Sequence, residues 1–221
     1  MPYQISPEII IDGTLYTLVL FSVLTWTLIL FKIWQFGKNS YYNRQFDKAF
    51  WDASNLTEAK ELPESIARGP QARIANQGFS WINESQQPVK YSLKYRGEPT
   101  DLLEHALYVQ MQKEQHSMES GLVVMASIGS TAPFVGLFGT VLGIMHAMHE
   151  ITESGSSSLD VVAGPIGDAL IATAVGIAVA VPAVLAYNFF LRSAKQQRSG
   201  LENFVASFMH VALDQNNDNK E

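Results

Sequence analysis

The chain has 221 residues and a net charge of −6, from 15 Lys and Arg against 21 Asp and Glu. It contains no cysteine, which excludes both a disulfide framework and a thiolate metal site. The acidic balance also argues against binding to nucleic acid, which requires a basic surface. Hydrophobic residues make up 47% of the chain and are concentrated in three blocks, each long enough to cross a bilayer.

The first block, residues 14–36, reads TLYTLVLFSVLTWTLILFKIWQF. Its first charge is Lys32, near the inner end, where a long side chain can extend to the membrane interface. Residues 1–13 carry Glu8 and Asp12 but no Lys or Arg, unlike the basic start of a signal peptide. We therefore interpret the block as a retained transmembrane helix that follows a short tail.

Residues 37–121 are mostly polar, lack the alternation typical of strands and show helical spacing. The first span is predicted to continue as an amphipathic helix with aromatic residues on one side: Tyr42, Phe46, Phe50 and Trp51. Residues 70–84 are predicted to form a short helix. Another helix is predicted to begin at an N-cap of Thr100 or Asp101, and nothing before Gly121 would stop it from running into the second block.

The second and third blocks, residues 122–148 and 161–191, are rich in Gly and Ala and are joined by a loop at 149–160. Residues 192–221 are predicted to extend the third helix and then to end in a polar tail. The extension has an apolar stripe of Leu201, Phe204, Val205 and Phe208. The prediction is an all-α integral membrane protein with three transmembrane helices, of which the second and third are long and extend into a helical domain.

Lys and Arg are distributed unevenly along the chain, which predicts its orientation in a membrane. Ten of the fifteen lie in residues 37–121 and four lie after Leu191, whereas residues 1–13 and 149–160 have none. Because loops rich in Lys and Arg stay in the cytoplasm, we expect the N-terminus outside, residues 37–121 in the cytoplasm, a short outer loop and a cytoplasmic C-terminus.

Each of the last two blocks carries a seam of small residues along one helix face. The seam of the second block repeats at spacings of three and four and consists of Ala126, Gly129, Pro133, Gly136, Thr140, Gly143 and Ala147. The seam of the third block consists of Ala169, Thr173, Gly176, Ala180 and Ala183. Small residues let helix backbones approach closely in lipid, so we expect both seams to be packing faces. In the simplest interpretation, each threonine hydroxyl donates to a carbonyl one turn earlier in its own helix.

Asp168 is the only charged residue between Asp160 and Arg192. A charged Asp at the centre of a membrane helix costs on the order of 3 kcal/mol, so it is expected to face protein or a wet cavity. At 1.5 Å per residue, Thr140 and Asp168 lie roughly 12–15 Å from the outer surface and Thr173 about 20 Å. This arrangement suits a proton or ion relay. The alternative is that Asp168 is a structural carboxylate. Asp168 and Thr173 point about 140° apart on their helix, so they need not line the same surface.

No pattern typical of an enzyme or a metal site is visible in the sequence. Three histidines outside the spans form no i, i+4 pair and have no carboxylate cluster beside them: His105, His116 and His210. A membrane enzyme would need polar groups clustered at one face of the bilayer, and only His146, His149 and Glu150 approach that. We expect these to be interfacial residues, and we expect no catalytic residue, no metal and no cofactor.

Two segments resemble the signature regions of the ExbB/TolQ/MotA family, and its ExbB-type members in particular: SIGSTAPFVGLFGTVLGIMHAM at 127–148 and VAGPIGDALIATAVGIAVAVPAVLAYNFF at 162–190. Three spans with an outer N-terminus are also similar to ExbB and TolQ, whereas MotA-type stators have four. The resemblance implies a homopentamer in the bacterial inner membrane, with the outer segments in the periplasm. It further implies two partners, an ExbD-like single-span protein inside the pore and a TonB-like protein.

The resemblance also implies a function, which is to use the proton-motive force for outer-membrane uptake of iron-siderophores, haem or vitamin B12. Thr140 in GLFGT and Thr173 in ALIAT match motif residues that face the central pore. Asp168 falls on the membrane acid of the family, which is usually Glu, and keeps the carboxylate on a side chain one methylene shorter. Leu142 replaces a common Trp. The main proton-carrying Asp is implied to lie on the ExbD-like partner.

Two other functions remain open at this point. A TolQ-type subunit of the Tol-Pal envelope system would share the same spans and the same polar residues. A membrane scaffold that conducts nothing would tolerate the substitutions Asp168→Asn and Thr173→Val, which a proton-driven subunit would not.

Overall fold

The computed structural model describes residues 7–85, 97–154 and 159–218. The regular elements in these ranges are helices: α1 (Pro7–Trp51), α2 (Leu56–Lys60), α3 (Pro70–Ser85), α4 (Pro99–Glu119), α5 (Leu122–Ser154) and α6 (Leu159–Asp218). Three helical segments are long and apolar enough to cross a membrane, namely Ile11–Trp51, Pro99–Glu153 and Val162–Asp214. The prediction of an all-α chain with three such segments is confirmed.

Several predicted segments lie partly outside the described residues: the tail at 1–13, the inner domain at 37–121, the loop at 149–160 and the C-terminal tail. Within the described residues, α1 already begins at Pro7, α5 continues to Ser154 and α6 begins at Leu159. The helices therefore reach into both segments that were predicted as tail and loop. The predicted continuations of the first and third blocks are also present, since α1 has 45 residues and α6 has 60.

The start of α4 differs from the prediction. Its N-cap is Glu98, whose side chain makes no capping hydrogen bond, rather than Thr100 or Asp101. Pro99 explains the difference, because proline favours the first helical position, where its fixed φ suits the helix and its missing N–H costs nothing. Thr100 and Asp101 therefore lie inside the first turn.

The end of α4 also differs, because the helix does not run into α5. The Ser120 N–H still bonds to the His116 carbonyl oxygen at 2.9 Å, but Gly121 then has a φ of +81°. This left-handed conformation is easy for glycine and ends a helix. The sequence analysis predicted one helix running through Gly121 into the second block. Gly121 instead ends α4.

The chain divides into two compact units. We call Met1–Lys32 with Gly121–Phe190 the apolar unit, and Ile33–Ser120 with Leu191–Glu221 the polar unit. The apolar unit has a buried cluster that joins α1, α5 and α6: Leu18, Ile128, Ala132, Val179, Ala180 and Ala183. Its large side chains are mostly exposed, among them Phe134, Phe138, Leu185 and Phe189. An apolar exterior around a core rich in alanine suits a bilayer environment.

The polar unit is built around aromatic side chains. Phe50 contacts the rings of Phe46, Phe79, Phe204 and Phe208 at centroid separations of 5.5, 6.3, 5.2 and 6.0 Å. The stripe predicted on the extension of α6 is buried, with Leu201, Phe204, Val205 and Phe208 at 3% exposure or less. Of the aromatic side predicted for α1, Phe46 and Phe50 are buried whereas Trp51 is 43% exposed.

Candidate functional site

The two seams of small residues lie against each other in the apolar unit. A methyl group added to Gly136 would lie 2.7 Å from the Ala172 carbonyl oxygen, and one added to Gly176 would lie 2.7 Å from the Ala132 carbonyl oxygen. Neither position has room for a side chain. The backbones of α5 and α6 are therefore in direct contact at this level, which is the kind of packing that small residues permit in lipid.

Other seam residues extend this contact in both directions. A methyl group at Gly143 would lie 2.5 Å from the Ala169 Cβ, and one at Gly129 would lie 2.5 Å from the Val184 Cγ2. Ala180 is buried in the core cluster, and Pro133 lies half-buried inside α5. Val184 was not assigned to a seam from the sequence, because the seams were defined by small residues and valine is larger.

Thr140 and Thr173 meet where the two seams are closest. Their hydroxyl oxygens are in direct contact, and both residues are partly buried. The Thr140 hydroxyl lies 3.2 Å from the carbonyl oxygens of Gly136 and Ala169, and the Thr173 hydroxyl lies 3.1 Å from that of Gly136. The predicted bond from a threonine hydroxyl to a carbonyl one turn earlier in its own helix is present for Thr140, which donates to Gly136. Thr173 instead donates across the interface to the Gly136 carbonyl of α5. Both hydroxyls are therefore fully satisfied by the protein.

Asp168 is not part of this pair. It is exposed on the surface of the single chain and makes no hydrogen bond or ion pair with the residues that the structure describes. Methyl groups at the neighbouring Gly164 and Gly167 would meet nothing within 4 Å. The carboxylate therefore lies on an open stretch of α6, and the three predicted pathway residues separate into a partly buried threonine pair and an exposed acid.

Sequence reasoning missed a line of polar residues on the side of α1 that is buried in the protein. Thr14 is 6% exposed, Thr25 is 1% exposed and Lys32 is 0% exposed. The prediction that Lys32 extends to the interface is therefore wrong, because its side chain is enclosed by protein. The available signal was the spacing of 11 and 7 residues, which places all three on one helix face.

The polar unit holds a partly buried ion pair that the sequence did not reveal. Arg73 Nε and Nη2 lie 2.7 and 2.5 Å from the two carboxylate oxygens of Glu114, whose side chain is 7% exposed. Gln110 Nε2 donates to the same carboxylate at 2.7 Å. Hydrogen bonding to Glu114 raises the pKa of Arg73 against the opposing effect of burial. The partners are 41 residues apart, so no local pattern could have found them.

The C-terminal end of α5 carries two His–Glu pairs, each with its partners one helical turn apart. His146 Nε2 lies 3.9 Å from Glu150 Oε1, and His149 Nε2 lies 3.2 Å from Glu153 Oε1. Glu153 and His149 are about two-thirds exposed. The described residues contain no group of three or more potential ligands that could hold a metal ion.

Comparison with known proteins matches residues 67–203 to the MotA/TolQ/ExbB proton channel family. The chain is 33% identical over 208 residues, 94% of each chain, to the Biopolymer transport protein ExbB of Neisseria meningitidis. It is 37% identical over 180 residues to that of Xanthomonas campestris, covering 80% of this chain and 71% of the relative. It is 28% identical over 211 residues to the Tol-Pal system protein TolQ of Haemophilus influenzae, covering 94% of this chain and 90% of the relative. The chain therefore belongs to the MotA/TolQ/ExbB proton channel family.

Proposed function

We propose that this protein is an ExbB-type subunit of a proton-driven complex that energises a TonB-like protein for outer-membrane uptake of iron-siderophores, haem or vitamin B12. The observation that carries the proposal is the similarity to a Biopolymer transport protein ExbB over 94% of both chains. The power source in the proposal is the proton gradient, without any cofactor. One elementary charge crossing 100 mV releases about 2.3 kcal/mol, so several protons could drive a rearrangement.

In the proposed mechanism, Asp168 and the threonine pair belong to the proton pathway. A carboxylate that is exposed on one chain inside a membrane span would be costly in contact with lipid, so an assembly has to cover it or hydrate it. The bare glycines beside it leave room for a neighbouring helix to approach. The threonine pair supplies hydroxyl groups on α5 and α6, the second of which also carries Asp168.

The proposed assembly is a homopentamer around an ExbD-like helix. This proposal is supported by the apolar exterior of α5 and α6, which includes Phe134, Leu137, Ile177 and Leu185, all more than half exposed. Such side chains contact either lipid or a neighbouring subunit. The proposed location is the bacterial inner membrane, with the N-terminus in the periplasm and the C-terminus in the cytoplasm, on the basis of the Lys and Arg distribution.

A TolQ-type function is the second candidate, because a Tol-Pal system protein TolQ is among the relatives at 28% identity over 94% of this chain. Complementation separates the two candidates. The chain should restore growth on a ferric siderophore to a strain that lacks its own ExbB-type and TolQ-type subunits. Restored detergent resistance without restored siderophore use would indicate the TolQ-type function instead.

The experiment on the site compares wild type, Asp168→Asn, Asp168→Glu and Thr173→Val in that strain at matched membrane levels. We expect Asp168→Asn and Thr173→Val to abolish growth and Asp168→Glu to support it, because Glu keeps a proton-binding group. Thr27→Val is the matched control, since Thr27 is exposed and bonded only to the Val23 carbonyl of its own helix. Growth of all four variants like wild type would favour a non-conducting scaffold.

A further inference from the structure

The inner face of α1 carries the buried polar side chains of the apolar unit. Among its described residues, the polar ones that are less than a tenth exposed are Thr14, Thr25 and Lys32. At 100° per residue they lie within about 20° of one another around the helix. Leu18, on the same side, belongs to the core cluster with α5 and α6, so this line faces the other two membrane helices.

Thr25 differs from the other threonines of α1. The hydroxyls of Thr14, Thr17 and Thr27 donate to carbonyl oxygens of their own helix at 2.7–2.8 Å. The Thr25 hydroxyl is buried and has no hydrogen-bond partner among the described protein groups. A buried hydroxyl without a partner is costly, and in folded proteins an ordered water usually supplies the missing bond.

Ser22 provides a second free hydroxyl beside it. Ser22 lies three residues before Thr25, which places the two side chains next to each other on the helix surface. Ser22 is half-buried and also makes no hydrogen bond with the described residues. The Phe21 carbonyl, four residues before Thr25, has a second lone pair beyond its helical hydrogen bond. Two hydroxyls and one carbonyl provide the two to four partners that a buried water requires.

We propose that Ser22 and Thr25 together bind an ordered water molecule between α1 and the other membrane helices. Thr25 is seven residues, or about 10 Å, from Lys32 and eleven residues, or about 16 Å, from Thr14. The site therefore lies deep in the span, where a polar group has no bulk water to contact. The bound water joins the two side chains of α1 into one hydrogen-bonded unit and supplies the bond that the buried Thr25 hydroxyl lacks.

The test compares thermal unfolding midpoints of the full-length protein in mild detergent for Thr25→Val, Ser22→Ala, the double variant and the control Thr27→Val. Valine keeps the shape of threonine and removes only the hydroxyl. If the water is bound, Thr25→Val should lower the midpoint by several degrees, and the double variant should fall no further, because both residues hold the same molecule. Thr27→Val should leave the midpoint nearly unchanged.

If no water is bound, the change in the unfolding midpoint of Thr25→Val should have the opposite sign. Thr25→Val would then remove an unsatisfied polar group and raise the midpoint, which overturns the proposal, as would additive losses in the double variant. A second measurement observes the water directly. Water-edited solid-state NMR of the protein in lipid bilayers should show magnetisation transfer from water to Ser22 and Thr25, and none to Thr27 on the opposite face; absence of transfer at Thr25 also overturns the proposal.

Discussion

The apolar and polar units distribute side-chain size in opposite ways. The apolar unit buries Ala132, Ala172 and Ala183 at 0% exposure and leaves Phe134 and Phe189 at 70% and 64%. The polar unit buries aromatic residues instead, including Phe208 at 0%. Water drives large apolar side chains inward, whereas lipid gives no such drive and favours close backbone contact. The positions of the large side chains in each unit therefore indicate whether water or lipid suits its surface.

The largest expected effect tests this contrast with two phenylalanines. Phe208→Ala removes a buried ring of the polar unit and should cost about 4 kcal/mol of stability, because it leaves a cavity among the surrounding aromatic residues. Phe189→Ala, in the apolar unit, removes an exposed ring and should cost far less in detergent. Unfolding of the two variants, followed by circular dichroism, measures the difference. Equal losses would contradict the contrast between the units.

The second test reverses the change by adding atoms to the apolar unit. Gly176→Val should cost about 3 kcal/mol, since its Cβ would lie 2.7 Å from the Ala132 carbonyl oxygen and the helices must separate. The control is Gly200→Val on the same helix, where an added Cβ meets nothing within 4 Å. Protease resistance of the purified membrane protein should be lost only in the first variant. Resistance in both would mean that close contact at Gly176 is dispensable.

The third test addresses how the polar unit stabilises a buried charge. Arg73→Met leaves the Glu114 carboxylate with Gln110 as its remaining side-chain donor, and should cost about 2 kcal/mol. The value is below that of a fully buried pair because the Arg73 side chain is 52% exposed and is screened by water. Arg198→Met, which breaks the exposed pair with Glu202, should cost less than about 1 kcal/mol. Urea unfolding of both variants measures the difference.

The same pair makes a prediction about pH. The pKa of Arg73 is raised in the folded protein, so its stabilising contribution is present below the ordinary arginine pKa and is lost only as pH rises through the raised value. The stability difference between wild type and Arg73→Met, measured by urea unfolding, should therefore not vary with Arg73 ionisation across the neutral range. A difference that vanished at mildly alkaline pH would show that another group provides it.

The smallest expected effect concerns the break between α4 and α5. Gly121→Ala should cost about 1 kcal/mol, because a side chain disfavours the left-handed backbone at φ +81°. Gly37→Ala, inside α1 with open space around it, should stabilise by up to about 1 kcal/mol. Thermal unfolding should thus move in opposite directions for the two variants. Stabilisation by Gly121→Ala would mean that the break is not required.

Periodic patterns predicted most of the fold, because membrane spans and helix seams repeat at short, regular intervals. The helix at 70–84, the continuation of α1 and the stripe on α6 all followed from such spacing. The interruption at Gly121 did not, since a single glycine inside an apolar run is compatible with either a helix or its end.

The site was predicted only in part, for a different physical reason. Thr140 and Thr173 could be chosen from their seams, but their mutual contact and the bond from Thr173 to the Gly136 carbonyl depend on how α5 and α6 approach. The pairing of Arg73 with Glu114 and the burial of Lys32 are likewise tertiary properties. Spacing along one helix contains no information about which neighbour covers it.

The threonine pair has one more consequence. Two hydroxyl protons are shared among four acceptors, the carbonyls of Gly136 and Ala169 and the two hydroxyl oxygens themselves. Either threonine can donate to the other while the remaining proton goes to a carbonyl. The direction of the hydrogen bond between the two threonines can therefore reverse by rotation of the two hydroxyl hydrogens, without movement of any heavy atom. Even where α5 and α6 are in rigid contact, a dipole remains that can turn in response to a nearby charge.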